Sequence, residues 1–407
     1  MSIVNIFGGS YCHDEEITAR LVQRLGYEYM DEEQLIAETE KRYAVPAKKL
    51  FRALYHEQSV FNSFTHEKER CIAYLKMVLA ESIMKENLVY SGFLGYVVPG
   101  AISHVLKVCI IADIDYRVNQ AVTKSGLSEK DALKAIKKYD EERTKWSQYL
   151  FELSPWDASL YDMVIPVDKT STDSAVGLIE ENVKSDVLQV TPDSKRAAAD
   201  FILAAKVGIL LAEKGHAVEV SCHKEEIILT INKRTLRLEN LENELKKIVS
   251  AIPEVKAVRT KVGAGYYKAD VYRQFDYEKP SKVLLVDDER DFVQTLSKRL
   301  QMREMGSAFV YDGNEALELL KEEEPDVMVV DLKMPGIDGM EILRRVKQES
   351  PLTEVIILTG HGSKQDEQKA KELGVFAYLN KPVDIAVLTK YMQEAQKKVN
   401  EAKKNMA

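Results

Sequence analysis

Five residues in the C-terminal third have types and spacing that could do chemistry together: Asp287, Asp288, Asp331, Thr359 and Lys381. Each stands at or just past the end of an apolar run, in "KVLLVDD", "DVMVVD", "VIILT" and "AYLNKP". Such runs read as buried strands, and an open α/β sheet binds its ligands in the crevice outside the strands' carboxyl ends. Three carboxylates, a hydroxyl and an ammonium are therefore expected at one crevice. Adjacent carboxylates repel unless a cation neutralises them. Mg²⁺ is the cation expected, because it takes oxygen ligands octahedrally and retains water positions open to a phosphoryl group.

A second candidate lies at the N-terminus. In "SIVNIFGGSYCHDEEITARLVQRLGY" an apolar run enters Gly8-Gly9-Ser10 and an amphipathic helix follows. That is the grammar of a phosphate-binding loop. The loop has no lysine, however, and its helix opens on Asp14-Glu15-Glu16. Acids there favour the helix dipole but repel phosphate.

The elements that must position these residues fall into three segments. Residues 1–185 alternate apolar runs at 3–7, 88–91, 105–112 and 163–167 with helical patterns, as an α/β domain with a parallel sheet does. Residues 190–275 read as helix, two strands, helix and strand, a small α+β domain. Residues 281–407 place strands at 282–287, 326–331, 354–359 and 376–379 between helices, a doubly wound, flavodoxin-like α/β sheet.

Composition narrows the function. The 407 residues carry a net charge of -8, and no segment joins a helix-turn-helix to a basic face, so nucleic-acid binding is not indicated. Cys12, Cys71, Cys109 and Cys222 form no C-x-x-C pair, which points to reduced thiols and away from zinc. No secretory signal pattern opens the chain, and "FILAAKVGILLA" is too short to span a bilayer. A cytoplasmic protein is expected.

The acidic pair, Asp331 followed by "MPGIDG", Thr359, and Lys381 before a proline occur in the order found in response regulators, and residues 281–407 resemble their receiver domain. The resemblance makes Asp331 the phospho-acceptor and assigns Mg²⁺ to Asp287, Asp288, Asp331 and the backbone carbonyl of Lys333. Lys381 would pair with the phosphoryl oxygens, Thr359 would hydrogen-bond them, and Tyr378 would be the switch aromatic. The implied partner is a sensor histidine kinase or phosphotransfer protein.

The stretch "VCIIADIDYRVNQAVTKSGLSEKDALKAIKKYDEERTKWSQYLF", with "LVQRLGYEYMDEEQLI" before it, resembles the cytidylate kinase-like family of P-loop nucleoside monophosphate kinases. In that alignment the family's loop glycines fall near Tyr11, His13 and Asp14, and its basic position falls at Glu15. Phe93 stands for a strand arginine, and Gln120 for one of two lid arginines; Arg117 and Arg143 remain. Phosphoryl transfer needs several cations around its transition state. The expectation is a degenerate kinase fold, with Gly8, Gly9, Ser10, Arg117 and Arg143 as a remnant nucleotide site. The middle stretch, from "HAVEVSCHKEEIILTI" to "VKAVRTKV", resembles a BON domain.

The function expected is a two-component response regulator that signals through its kinase-like domain by binding. The alternative is a phosphorylation-regulated cytidylate-type kinase, and enzymatic activity beyond the receiver's own phosphoryl chemistry is left open. A homodimer is among the open arrangements.

Overall fold

The computed structural model describes residues 2–55, 59–151, 153–235, 237–267, 282–303, 305–360 and 362–406. The chain divides into two units, residues 1–57 with 68–272, and residues 58–67 with 273–407. The join expected between residues 275 and 281 lies outside the described residues.

In the first unit, β1 (Ile3–Gly8), β2 (Glu28–Asp31), β3 (Leu88–Ser91), β4 (Val105–Ile111) and β5 (Met163–Pro166) form a parallel sheet in the order β2-β3-β1-β4-β5. The central β1 pairs with β3 and β4, Val4 facing both Val89 and Leu106, and all six of its residues are buried. Burial on both faces explains why it reads as one continuous apolar run. The strand β2 was not expected. It is a four-residue edge whose "EYMD" is half-exposed to exposed, so no apolar pattern marks it. Helix Asp14–Leu25 covers one face with Ile17 and Leu21, and helices Glu67–Ile83 and Glu129–Phe151 cover the other with Leu75, Leu79 and Trp146.

The helix Pro192–Glu213 opens with a capping box between Thr191 and Ser194 and has Pro192 in its first turn. Its Ala198 and Phe201 join the core of the five-stranded sheet, while Leu203, Val207 and Leu211 join that of a smaller one. One helix thus serves two cores and ties both segments into one unit. The smaller sheet, β6 (Glu219–His223), β7 (Glu226–Ile231) and β8 (Ala257–Val262), pairs antiparallel and then parallel. Helix Leu238–Val249 lies between β7 and β8, in the expected order of elements. The hairpin turn holds Lys224 and Glu225 at φ 52° and 64°, left-handed values that glycine would adopt freely. Buried Asp200 secures the turn, its carboxylate accepting the Lys224 N–H at 2.6 Å and the Glu225 N–H at 2.9 Å.

In the second unit, β9 (Val283–Val286), β10 (Ser307–Val310), β11 (Val327–Val330), β12 (Glu354–Thr359) and β13 (Ala377–Asn380) make an all-parallel sheet, ordered β10-β9-β11-β12-β13. This is the flavodoxin-like arrangement. Four of its strands were anticipated; β10, an edge strand with half-exposed and exposed positions, was not. Helices Arg290–Gln301 and Ile385–Met406 cover one face, and Gly313–Glu322, Gly339–Glu349 and Lys364–Glu372 the other. Among the described residues, no helix is long and apolar enough to cross a membrane.

Candidate functional site

The carboxyl ends of β9, β11, β12 and β13 are locked in a row by backbone hydrogen bonds. The Asp331 N–H donates to the Val286 carbonyl at 2.8 Å, and the Lys381 N–H donates to the Thr359 carbonyl at 2.8 Å. Asp287 and Asp331 are buried, and Thr359 is fully so. The Lys381 ammonium projects among them, 2.6 Å from Asp287 Oδ2, 3.1 Å from Glu289 Oε1 and 3.4 Å from Asp331 Oδ1. It also lies 4.4 Å from the Phe292 ring centroid, within cation–π range.

Each buried carboxylate has one oxygen fixed by the backbone. Asp287 Oδ1 accepts the Glu289 N–H at 3.0 Å, and Asp331 Oδ2 accepts the Lys333 N–H at 2.9 Å. The other oxygen of each faces the ammonium. Burial raises the Asp287 carboxyl above its ordinary value, against the hydrogen bond from Lys381, which lowers it. Burial works against the Lys381 ammonium, yet its hydrogen bond to Asp287 and the charges of Asp287 and Asp331 raise it on balance. The lysine stays charged.

Asp288 is exposed at the rim, and among the described residues no three His, Cys, Asp or Glu side chains gather closely enough to hold a metal. Two buried carboxylates sharing one cation still present the hard oxygen donors that suit Mg²⁺, which often takes only one or two carboxylates and fills its shell with water. The residues therefore fit the ion, with the Lys333 carbonyl in the loop just past Asp331. Glu289 was not expected at this site. The run Asp287-Asp288-Glu289 was its only sequence signal.

Tyr378 is half-buried, and its hydroxyl has no hydrogen-bond partner among the described residues. It lies against Gly362, where any β-carbon would collide with it and would stand 3.0 Å from Thr359 Cγ2. The hydroxyl-bearing threonine and the aromatic thus meet at one glycine.

The N-terminal loop gathers its expected residues but balances their charge internally. Arg117 donates from Nε to the Ser10 carbonyl and from Nη2 to Ser10 Oγ, both at 2.9 Å, and forks onto Asp140 at 2.8 and 2.9 Å. Arg143 is stacked with Tyr55 and Tyr139, 4.1 and 4.4 Å from their ring centroids, and Tyr139 donates to the Gly8 carbonyl at 3.2 Å. Tyr11 and His13 hold left-handed φ of 63° and 59°, so the loop keeps a conformation suited to glycine with bulky residues in it. The Asp14 side chain sits directly on Gly8, and burial pushes its carboxyl up to about 6. A buried acid thus lies against the glycine that ends β1.

Comparison with known proteins finds a family match for each of the two segments. Residues 283–393 match the model of the response regulator receiver domain, and residues 3–169 match that of the cytidylate kinase-like family. The transcriptional regulatory proteins GlrR of Escherichia coli K12 and QseF of Escherichia coli O157:H7 are each 37% identical over 117 residues. The match covers 29% of this chain and 26% of each relative, so the chain spans about a quarter of their length. A receiver domain protein from Clostridium thermocellum is 33% identical over 31% of this chain and 98% of its own, with a TM-score of 0.28. The C-terminal part of this chain is a response regulator receiver domain, preceded by a segment that matches the cytidylate kinase-like family.

Proposed function

We propose that this protein is a two-component response regulator, phosphorylated on Asp331 by a histidine kinase or phosphotransfer protein, whose kinase-like domain acts by binding. The observation that carries the reading is the Lys381 ammonium bridging two buried carboxylates, 2.6 Å from Asp287 and 3.4 Å from Asp331.

In the proposed step an Asp331 oxygen attacks the donor's phosphorus in line, the P–O bond to Asp331 forms, and the P–N bond to the donor imidazole breaks. The backbone N–H of Lys333 holds one Asp331 oxygen and so orients the other for attack. Mg²⁺, when bound by Asp287, Asp288, Asp331 and the Lys333 carbonyl, supplies charge neutralisation for the incoming phosphoryl oxygens. Lys381 turns from Asp287 to a phosphoryl oxygen, and the Thr359 hydroxyl donates to another. A phosphoryl group adds roughly 1.5–2 negative charges, enough to draw Thr359 inward and let Tyr378 follow.

In the first domain, the Arg117–Asp140 pair and Asp14 over Gly8 speak for binding and against turnover. BON-like in its element order, the middle module serves as connector.

Calorimetry with Mg²⁺ and beryllofluoride, an acyl-phosphate mimic, tests the receiver reading. Saturable heat in the wild type and none in Asp331→Asn is expected; equal heat from both would remove it. ADP release from Mg-ATP that depends on a nucleoside monophosphate would instead establish the regulated-kinase alternative.

A further inference from the structure

Residues 58–67 belong to the second unit, although the chain on either side of them belongs to the first. Within that unit Phe61 is fully buried, in one apolar cluster with Leu284, Val286, Leu317, Leu320 and Met328. The Ser59 hydroxyl donates to the Glu323 carboxylate, 264 residues away in sequence, and the Lys282 ammonium pairs with the Glu67 carboxylate. The ring of Phe64 lies on Gly306, where a β-carbon would collide with it. Lys282, Gly306 and Glu323 stand just before β9, just before β10 and just after helix Gly313–Glu322. They mark the amino edge of the parallel sheet, opposite Asp331.

We propose that residues 58–67 are a docking strap. The receiver takes this piece of the kinase-like segment into its own core, and the state of Asp331 reaches the rest of the chain through it. The inference rests on the reading of Asp331 as phospho-acceptor. Its route is visible in the packing: the cluster that buries Phe61 also holds Leu332 and Met334, just past Asp331, with Tyr378 packed against it. Closely packed cores shift between discrete arrangements rather than deform smoothly, so repacking at Leu332 and Tyr378 is felt at Phe61. The strap continues directly into helix Glu67–Ile83, whose Leu75 and Leu79 sit in the core of the five-stranded sheet. A change at the strap is thereby delivered to the kinase-like fold by covalent continuity.

Hydrogen exchange of the full-length protein, followed by mass spectrometry with and without Mg²⁺ and beryllofluoride, tests this. Amides of residues 59–67 are expected to be protected at rest. Lys282→Glu is expected to speed their exchange roughly tenfold or more, as loss of a docked segment does. The exchanged pair Glu67→Lys with Lys282→Glu is expected to restore protection, and Phe61→Ala to speed exchange as well. If Phe61→Ala fails to fold, the charge exchange still decides. Beryllofluoride is expected to change exchange at 59–67 together with 331–339. A response at 331–339 with none at 59–67, or exchange at 59–67 indifferent to Lys282→Glu, would overturn the strap and leave the phosphorylation reading standing. No response in either segment would remove both.

Discussion

Lys381 and Asp287 form the shorter contact of the receiver site: the ammonium stands 2.6 Å from Asp287 and 3.4 Å from Asp331. The lysine therefore neutralises Asp287 first and Asp331 second. A phosphoryl group on Asp331 would reverse that preference. The same contact makes Lys381 a competitor for any cation at Asp287.

Removing that competitor has a measurable consequence. Lys381→Met should bind Mg²⁺ more tightly, by about tenfold, because two like charges are then left without their shared partner. The same variant should lose most of its response to beryllofluoride. Mg²⁺ titration of the wild type and variant checks this, and weaker Mg²⁺ binding in the variant would contradict the competition.

Acidification should weaken the site earlier than an ordinary carboxylate pair would allow. Burial raises Asp287, so it takes up a proton at a higher pH than an exposed aspartate. The protonated form no longer attracts the metal. Mg²⁺ affinity should therefore begin to fall at a higher pH than it would at exposed aspartates, and Asp287→Asn should flatten that profile while lowering affinity throughout.

The buried acid of the N-terminal loop should cost stability at neutral pH. Asp14 is raised from 3.8 to about 6 by burial, so folding favours its protonated form. Stability linked to this group is fully present below pH 3.8 and is lost as pH rises through 6. Asp14→Asn should stabilise the protein by about 2 kcal/mol at pH 7 and by little at pH 4. Denaturant melts at the two pH values measure the difference; a destabilised variant at pH 7 would point to a role for the carboxylate that burial alone does not explain.

The middle module offers a test independent of either site. Asp200 satisfies two backbone N–H groups in a turn of two left-handed, non-glycine residues. Asp200→Ala should destabilise the first unit by about 2–3 kcal/mol, and adding Glu225→Gly should recover part of it. Urea unfolding of the three proteins gives the comparison.

The crevice of the second unit was legible because Asp287 and Asp331 follow the buried apolar strands β9 and β11 and Thr359 ends the buried β12, and such strands announce themselves by composition. The edge strands β2 and β10 were not, since four residues, most of them half-exposed or exposed, carry no periodic signal. Glu289 could be suspected only as the third acid of a run. The pairing of Arg117 with Asp140 joins two different helices, one opening at Ile114 and the other at Glu129, and no spacing rule predicts it. Least legible was Phe61: the short run Val60-Phe61, with Phe64 after it, gives no hint that the burial partners of Phe61 begin more than 200 residues later. Local pattern reveals elements, while contacts of long sequence separation emerge only when the elements are assembled.

The central claim is that Asp331 accepts a phosphoryl group. It is tested most directly by incubating the full-length protein with Mg²⁺ and a small acyl-phosphate donor and measuring its intact mass. The account predicts one hydroxylamine-labile phosphoryl group on the wild type and none on Asp331→Asn. A label that survives the substitution, or a wild type that takes none, would contradict it.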